Sequence, residues 1–161
     1  MSRDFRMLQA IEAVYRDRGA DFFRFALART SDPELARDAV QEGFARAIRA
    51  RRSFRGSGSL EAWIGRCVLN AAIDASQRAV ADSLEGQSDS EVSPTAEPLD
   101  GDVRDALRQL PRRQRDALFL QVYLDYDYAT ISSILGMKVG TVSATLHAAR
   151  ESLMRALQEV T

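Results

Sequence analysis

Residue types that perform catalysis are sparse in this sequence of 161 residues. The chain contains one histidine, His147, and one cysteine, Cys67. Asp125 and Asp127 lie close together, but the sequence offers them no obvious partner base. A glycine-rich phosphate loop and the spacing of a metal-binding motif are both missing from the sequence. We therefore predict that the protein is not an enzyme and that it has no catalytic residue, no metal site and no cofactor.

Charged side chains are a second source of function, and they are distributed unevenly. The net charge of −1 divides into +4 for residues 1–78, −7 for residues 79–102 and +2 for residues 103–161. Two basic blocks around an acidic stretch indicate a polyanionic partner such as nucleic acid. Two ordinary solvated domains with a solubilising linker would give the same distribution, so charge alone leaves both interpretations open.

The composition also indicates where the protein works. A single cysteine cannot form an internal disulfide, which favours a reducing cytoplasm. No apolar run approaches the roughly 18 residues that a membrane-spanning helix needs. We expect a cytoplasmic protein without membrane insertion.

The acidic stretch divides the chain into parts. Residues 87–98 (QSDSEVSPTAEP) contain two prolines, three serines and few apolar residues. Such a segment buries too little surface to offset the entropy lost when it becomes ordered. We predict two small helical domains, residues 1–80 and 102–161, joined by a flexible acidic linker over residues 81–101.

Apolar residues in both blocks recur at helical spacing without strand-like alternation, so we predict an all-α fold. In the first block, Asp32-Pro33 is a strong helix start, because Asp caps a helix and Pro suits its first position. Ser59 is predicted to cap a later helix that carries Trp63 on its apolar side. The stripe after Asp32-Pro33 contains Ala36, Ala39, Val40, Gly43, Phe44, Ala47 and Ile48.

The second block contains two predicted helices joined by a short turn, the arrangement of a helix-turn-helix. We predict a helix from Tyr128 to Leu135, a turn over residues 136–140, and a last helix capped by Thr141. Gly136 supplies the left-handed backbone that such a turn requires. A helical hairpin without a ligand has the same pattern, so DNA binding is one of two interpretations. The predicted shared core contains Ile131, Ile134, Leu135, Val139, Val142 and Leu146.

Several motifs together point to one family. The second block contains residues 107–117 (LRQLPRRQRDA), 127–131 (DYATI) and 140–142 (GTV). The first block contains residues 38–44 (DAVQEGF), 54–55 (FR), 62–64 (AWI) and 70–74 (NAAID). These motifs strongly resemble regions 4 and 2 of the extracytoplasmic-function sigma factors of bacterial RNA polymerase. They occur in the order and spacing of that family and cover nearly the whole chain.

The resemblance implies that the first block binds the clamp helices of RNA polymerase. Without the resemblance, Asp38 and Glu42 would be interpreted as a solvated helix face and Phe44 as a core residue. The residues that match the clamp-binding helix are Asp38, Gln41, Glu42 and Phe44.

The first block is also expected to open and read the minus-ten promoter element. Loop 54–59 matches the family's loop that captures a flipped base, although a plain flexible connector has the same composition. Trp63 has the spacing of a core residue but could stack on a base, and Asp74 could equally cap or pair locally. The predicted minus-ten DNA residues are Arg51, Arg52, Phe54, Arg55, Ser57, Ser59, Trp63, Asn70, Asp74 and Arg78.

The second block is expected to bind the minus-thirty-five element and the polymerase flap. The family usually has basic residues where this chain has Ser143, Thr145 and Ala148. The contact with this element is therefore expected either to be weak or to use neutral side chains. The predicted minus-thirty-five DNA residues are Lys138, Thr141, Ser143, Thr145, His147 and Arg150.

The resemblance predicts a promoter-specificity subunit whose partners are core RNA polymerase, promoter DNA and an anti-sigma protein. A sigma mimic that titrates an anti-sigma protein without starting transcription is an alternative, which the neutral recognition helix favours. A stand-alone helix-turn-helix DNA-binding regulator is a further alternative, but it would not need the clamp-like helix of the first block.

Overall fold

The computed structural model describes residues 1–56, 58–83 and 101–160, and every regular element in these ranges is helical. The predicted all-α fold is therefore confirmed. The chain divides into two compact units, Met1–Pro94 and Thr95–Thr161. Most of the predicted linker, residues 84–100, lies outside the described residues. Its edges are helical rather than extended, because one helix ends at Ser83 and the next begins at Gly101.

Three long helices build the first unit and pack against one another. Helix α1 spans Arg3–Thr30, α2 spans Pro33–Arg49 and α3 spans Leu60–Ser83, and a short 3-10 turn, Arg51–Ser53, follows α2. Their apolar sides meet in one core. The largest fully buried side chains of this unit are Phe22, Phe25, Ile64 and Val68.

The predicted starts of α2 and α3 are confirmed by the atoms that cap them. The Asp32 carboxylate accepts a hydrogen bond from the Glu34 N–H group at 2.9 Å, and Pro33 occupies the first turn. The Ser59 hydroxyl oxygen accepts a hydrogen bond from the Ala62 N–H group at 3.0 Å. Each cap satisfies an N–H group that has no partner inside its own helix.

The predicted apolar stripe of α2 is buried except at its last residue. Ile48 lies in the final turn of α2 and is 40% exposed, so the stripe does not stay buried to its end. Its carbonyl oxygen instead accepts a hydrogen bond from the Arg51 guanidinium at 2.7 Å. The buried members of the stripe are Ala36, Ala39, Val40, Gly43, Phe44 and Ala47.

Gly43 sets the distance between α2 and α3. A Cβ atom added to Gly43 would lie 2.6 Å from the Cα atom of Val68 and 2.6 Å from its Cγ2 atom. Carbon atoms in favourable contact are about 3.5–4.0 Å apart. Only a residue without a side chain permits this approach, so the backbone of α2 lies directly against α3.

The second unit is built around its last helix, which packs against each of the other three. The predicted bounds of the helix Tyr128–Leu135 are confirmed. The Asp127 carboxylate caps it by accepting a hydrogen bond from the Thr130 N–H group at 2.8 Å. The four helices are α4, Gly101–Arg108; α5, Arg112–Val122; α6, Tyr128–Leu135; and α7, Val139–Val160.

The turn between α6 and α7 is shorter than predicted. Gly136 adopts the expected left-handed conformation, with φ at 67°, and its N–H group donates to the Ser132 carbonyl at 2.9 Å. Helix α7 begins at Val139, so Thr141 lies inside its first turn and the prediction of a Thr141 cap is wrong. Gly140 was predicted to belong to the turn but is helical, and a Cβ atom added there would meet nothing within 4 Å.

The shared core of the helix-turn-helix is largely as predicted. Leu135 is half-buried, and Val139 is 49% exposed because it opens α7 at the surface. The prediction of Val139 as a core residue is therefore wrong. Full burial is confirmed for Ile131, Ile134, Val142 and Leu146.

We expect Gly43→Ala to lower the free energy of unfolding of the first unit by about 1 kcal/mol. Overpacking costs about 1–3 kcal/mol, and the gain of about 1 kcal/mol in helix propensity offsets only part of that cost. Denaturant unfolding followed by circular dichroism measures the change.

Gly19→Ala is the matched control for this substitution, since Gly19 lies inside a helix of the same unit. An added Cβ atom there would meet its nearest neighbour, the Tyr15 ring, at an ordinary 3.8 Å. We expect this control to be more stable than the wild type by up to about 1 kcal/mol. A Gly43→Ala variant as stable as the wild type would contradict the close helix contact.

Candidate polymerase and DNA interfaces

The outer side of α2 exposes two of the four residues predicted to bind polymerase. Asp38 and Gln41 are exposed and lie three positions apart, so they share one side of the helix. Within the described part of the chain, neither side chain is held by a hydrogen bond or an ion pair. The Asp38 carboxylate is therefore available to a cation of a partner.

Glu42 is held in an ion-pair network. Its carboxylate accepts hydrogen bonds from Arg46 at 3.1 Å and from Arg49 at 2.9 Å. Arg46 also donates to Asp74 of α3 at 2.9 Å. The two arginines hold the pKa of Glu42 below its usual value, and the hydrogen bond to Asp74 raises the pKa of Arg46. The network joins α2 to α3 one turn after Gly43.

Phe44, the fourth predicted polymerase residue, has its side chain in the core. Its exposed fraction is 6%. Its ring meets the Tyr15 ring edge to face, with centroids 5.0 Å apart, and lies 6.1 Å from the Phe22 ring. The ring that was predicted to bind polymerase therefore already packs against Tyr15 and Phe22 of α1. Tyr15, which is 54% exposed, covers this side of the core.

Phe54 and Trp63 form an aromatic pair where the loop before α3 begins. Their ring centroids are 5.4 Å apart and their planes are inclined by 47°. Both side chains are half-buried, and Trp63 packs against the core as well. Each ring therefore retains some surface on which a base could stack.

The loop between Phe54 and α3 has a backbone suited to glycine. Gly56 and Gly58 have φ values of 78° and 86°, in the region that residues with side chains rarely adopt. Arg55 is exposed. Ser59 is used as the cap of α3, and Ser57 lies outside the described residues.

Polar residues follow one another at four-residue spacing along the exposed side of α3. Arg66, Asn70, Asp74 and Arg78 are all exposed. Asp74 differs from the other three because it is paired with Arg46. This side of α3 therefore offers two cations and one amide to a ligand, while Asp74 orients a neighbouring helix.

Arg51 is bound to Asp4 by two hydrogen bonds across 47 positions of sequence. The Nε atom lies 2.7 Å from one carboxylate oxygen, and the Nη2 atom lies 3.1 Å from the other. The Arg51 side chain is only 22% exposed, whereas that of Arg52 is 84% exposed. Arg51 holds the pKa of Asp4 below its ordinary value. Sequence reasoning missed Asp4, because no local signal links positions so far apart.

The start of α1 and the 3-10 turn line an open cavity of about 350 Å³. It brings together three residues predicted to contact minus-ten DNA and three that sequence reasoning did not single out. The lining residues are Arg3, Asp4, Met7, Arg51, Arg52 and Phe54.

The exposed start of α7 carries few charges. Thr141, Ser143 and His147 are exposed, and Thr145 is half-buried. Lys138 is exposed just before the helix. This surface is therefore neutral except at its edges.

His147 and Arg150 each contact another side chain of the protein. The His147 Nε2 atom lies 3.3 Å from a carboxylate oxygen of Glu151. Arg150 donates a hydrogen bond to the side chain of Gln121 on α5. Arg150 is thus partly occupied before any ligand arrives.

Comparison with known families gives a direct assignment to both units. The sigma-70 region 2 family matches residues 6–80, and the sigma-70 region 4 family matches residues 100–153.

Curated relatives agree with the assignment of both units to the sigma-70 family. The chain is 31% identical over 153 residues to the ECF RNA polymerase sigma factor SigM of Mycobacterium tuberculosis, covering 92% of this chain and 77% of the relative. It is 30% identical over 145 residues to the RNA polymerase sigma-H factor of Pseudomonas aeruginosa, covering 79% and 75%. The chain belongs to the extracytoplasmic-function sigma factors. This sigma factor directs transcription initiation at promoters, and its family consists of transcription regulators.

Solved structures support the fold of the sigma factor. The sigma factor RpoE from Bartonella quintana, solved with the anti-sigma factor NepR, matches with a TM-score of 0.73 and 23% identity over 98% of both chains. CnrH, solved with the cytosolic domain of CnrY, matches with a TM-score of 0.71 and 20% identity, covering 96% of this chain and 91% of CnrH. At these identities the likeness supports the fold alone.

Within the described ranges of the sigma factor, no helix is long and apolar enough to cross a membrane. In the same ranges, no group of three His, Cys, Asp or Glu side chains is arranged to hold a metal ion. Burial raises the pKa of the Cys67 thiol, which therefore keeps its proton at neutral pH.

We expect the pairing of Asp4 with Arg51 to stabilise the sigma factor only while Asp4 is ionised. Because its pKa is lowered in the folded state, the contribution is complete above the unfolded value, near 3.8, and disappears as the pH falls through the folded value. The difference in unfolding free energy between wild type and Asp4→Asn should therefore be constant near neutral pH and shrink below about pH 4.

Denaturant unfolding over a pH series measures this difference. Asp17→Asn, at an exposed position of the same helix, is the control and should track the wild type throughout. A wild-type advantage over Asp4→Asn that persists unchanged into strong acid would rule out the ion pair as its source.

Proposed function

We propose that residues 1–80 bind the polymerase clamp and the minus-ten element, and that residues 102–161 bind the minus-thirty-five element and the flap. Residues 81–101 would be the acidic connection. The observation that carries this proposal is that the first unit combines the free Asp38 carboxylate on the exposed side of α2 with a separate set of exposed cations and aromatic rings. The carboxylate suits a basic protein partner, and the cations and rings suit an unpaired strand.

Within the polymerase contact, Asp38 and Gln41 are the direct ligands of the clamp. Glu42 acts mainly through Arg46 and Arg49, because its carboxylate already accepts hydrogen bonds from both. Phe44 supports the helix from inside the core. The four residues of the motif therefore divide into two that touch the partner and two that hold α2 in place.

Within the minus-ten contact, the exposed cations bind phosphates and the aromatic pair receives a base. Arg52, Arg55 and Arg78 are exposed and suit the phosphate role. Asn70 is exposed on the same helix as Trp63 and suits contact with a base edge. Arg51 and Asp74 act by positioning their neighbours, since each is already bound within the unit.

The partners of the protein are core RNA polymerase, promoter DNA and an anti-sigma protein. Support for the last comes from two relatives of similar fold, which were solved with the anti-sigma factor NepR and with CnrY. The protein works in the cytoplasm, where polymerase and promoter DNA are found, and it performs no catalysis of its own.

A sigma mimic that titrates an anti-sigma protein is the second candidate. The neutral start of α7 favours it, since Ser143 and Thr145 stand where the family usually has basic residues, and Arg150 is engaged by Gln121. Run-off transcription with core polymerase and a genomic fragment library separates the two. Promoter-dependent transcripts support the sigma factor, and anti-sigma binding without transcripts supports the mimic. Tight sequence-specific DNA binding without polymerase would indicate a stand-alone regulator.

We expect Asp38→Arg to lower affinity for core polymerase by at least about tenfold, because losing one partner of an interfacial charge pair typically costs more than 1.4 kcal/mol. Glu42→Gln should lower it less, since Glu42 is already paired. Competition binding against a labelled sigma factor measures both.

Asp17→Arg is the matched control, because it makes the same charge reversal at an exposed position of α1. It should bind polymerase like the wild type, and circular dichroism should show all three variants folded. Equal affinities for Asp38→Arg and Asp17→Arg would show that α2 does not meet the clamp through Asp38.

We expect Ser143→Arg to strengthen binding of the holoenzyme to its promoter, because it restores a cation at an exposed position of α7. One added phosphate contact on duplex DNA should steepen the dependence of log K on log salt by about 0.9. Met154→Arg adds the same charge to the same helix about 16 Å further along and should change neither quantity. Identical slopes for the two variants would remove this surface from the DNA contact.

A further inference from the structure

The cavity between α1 and the 3-10 turn is a second candidate ligand site in the first unit. Its volume of about 350 Å³ lies within the range of small-molecule sites, about 300–1,000 Å³. Phe54 is the only described residue of loop 54–59 that lines it. The other walls come from the 3-10 turn and from the start of α1, a helix to which the family resemblance assigned no DNA contact.

The charges around this cavity favour a phosphate. Among the described residues, three arginines and one aspartate line it, which gives a net charge of +2. The two oxygens of Asp4 are already taken by Arg51, and Arg52 lies further away, at 3.8 Å. Arg3 is exposed and pairs with no acid in the described part of the chain. Arg3 and Arg52 therefore remain largely free to bind an anion.

The remaining walls favour a flat apolar group. Met7 packs against the core from one side, and Phe54 is held by its contact with Trp63. An aromatic ring and a thioether both make favourable contacts with a π-system. The two free arginines suit the phosphate of a nucleotide, and the neighbouring aromatic and thioether side chains suit its base.

The walls are held in place without a ligand. Arg51 is fixed by two hydrogen bonds to Asp4 and by a third, from its Nη1 atom to the Ile48 carbonyl at 2.7 Å. These contacts tie the start of α1 to the end of α2 across the cavity. A site preorganised in this way loses little entropy when it binds. Asp4 is thus a positioning residue, and the residues around it make the contacts with the ligand.

We propose that this cavity binds one nucleotide of single-stranded DNA, with its phosphate at Arg3 and Arg52 and its base against Met7 and Phe54. Paired bases are stacked inside a duplex and cannot enter a cavity, so the strand must be unpaired. The identity of the strand as promoter DNA rests on the proposed function. The site adds α1 to the surface that holds the opened strand.

Methionine methyl resonances provide a direct test in the full-length protein. The chain has four methionines, and Met137 and Met154 of the second unit serve as internal references. Isotope-labelled protein is titrated with a short oligothymidine strand at low salt, and a Met7→Leu variant assigns the Met7 signal. A base packed against Met7 should give a saturable ring-current shift of this signal. An abasic strand of equal length should leave it in place.

Three results would overturn the proposal. The first is a Met7 signal that stays in place although fluorescence anisotropy shows the strand bound, or no binding at all at low salt. The second is an equal shift with the abasic strand, which would indicate a phosphate site without base recognition. The third is a shift with free thymidine monophosphate at the same affinity, which would indicate a mononucleotide site.

A pair of charge variants tests the phosphate half. Arg3→Gln should reduce the dependence of log K on log salt by about 0.7, the value for one phosphate contact on a single strand. Arg16→Gln removes an exposed arginine from the same helix outside the cavity and should leave the slope unchanged. Equal slopes for both variants would place the phosphate elsewhere.

Run-off transcription keeps this site separate from the proposed function. Promoter-dependent transcripts without a Met7 shift retain the sigma interfaces and reject the cavity. A Met7 shift without transcripts retains the cavity and rejects promoter-directed initiation through the proposed interfaces.

Discussion

The first unit depends on the contact between Gly43 and Val68. Because Gly43 has no side chain, the backbones of α2 and α3 approach until an added Cβ atom would lie 2.6 Å from Val68. This closeness lets Arg46 reach Asp74 across the two helices at 2.9 Å. It also fixes which side of α2 faces outward, since the small residues of its stripe are buried on the other side. The exposure of Asp38 is therefore a consequence of a packing constraint five positions away.

Some charged residues of the first unit pair with one another and others are available to a ligand, and the net charge does not distinguish the two groups. Arg46, Arg49 and Arg51 are paired with Glu42, Asp74 or Asp4 within the unit. Partly exposed ion pairs of this kind add little stability, typically about 0–1 kcal/mol. Their main effect is geometric, because they hold the helix ends that carry the candidate interfaces. Each ion pair removes one cation and one acid, so the net charge of +4 for residues 1–78 does not show which cations a ligand can reach. They are concentrated beside the 3-10 turn and along α3.

The sequence predicted local features of this fold well and long-range ones poorly. Asp32 and Ser59 could be predicted as caps, and Asp127 lies directly before the predicted helix that it caps. These caps can be found in the sequence because capping acts over three residues or fewer. Thr141 does not cap α7, because the helix already begins at Val139. Gly140 does not interrupt this helix, and a Cβ atom added there would meet nothing within 4 Å. The Asp4–Arg51 and Arg46–Asp74 pairs span 47 and 28 positions, and only packing brings them together. The motifs indicated the residues of α2 but could not separate the free Asp38 from the paired Glu42.

The neutral start of α7 fits a protein whose two DNA-binding units share one chain. Electrostatic contact with phosphates supplies most of the affinity of DNA-binding proteins outside their specific sites. A helix that carries Ser143 and His147 at exposed positions, with Arg150 engaged by Gln121, contributes little of it. When one unit is held at a promoter, the second binds at the high effective concentration of a tethered group, so a weak contact is sufficient. A contact of this kind would not by itself hold the free subunit on DNA. Few cations on α7 therefore favour action within the holoenzyme over action alone.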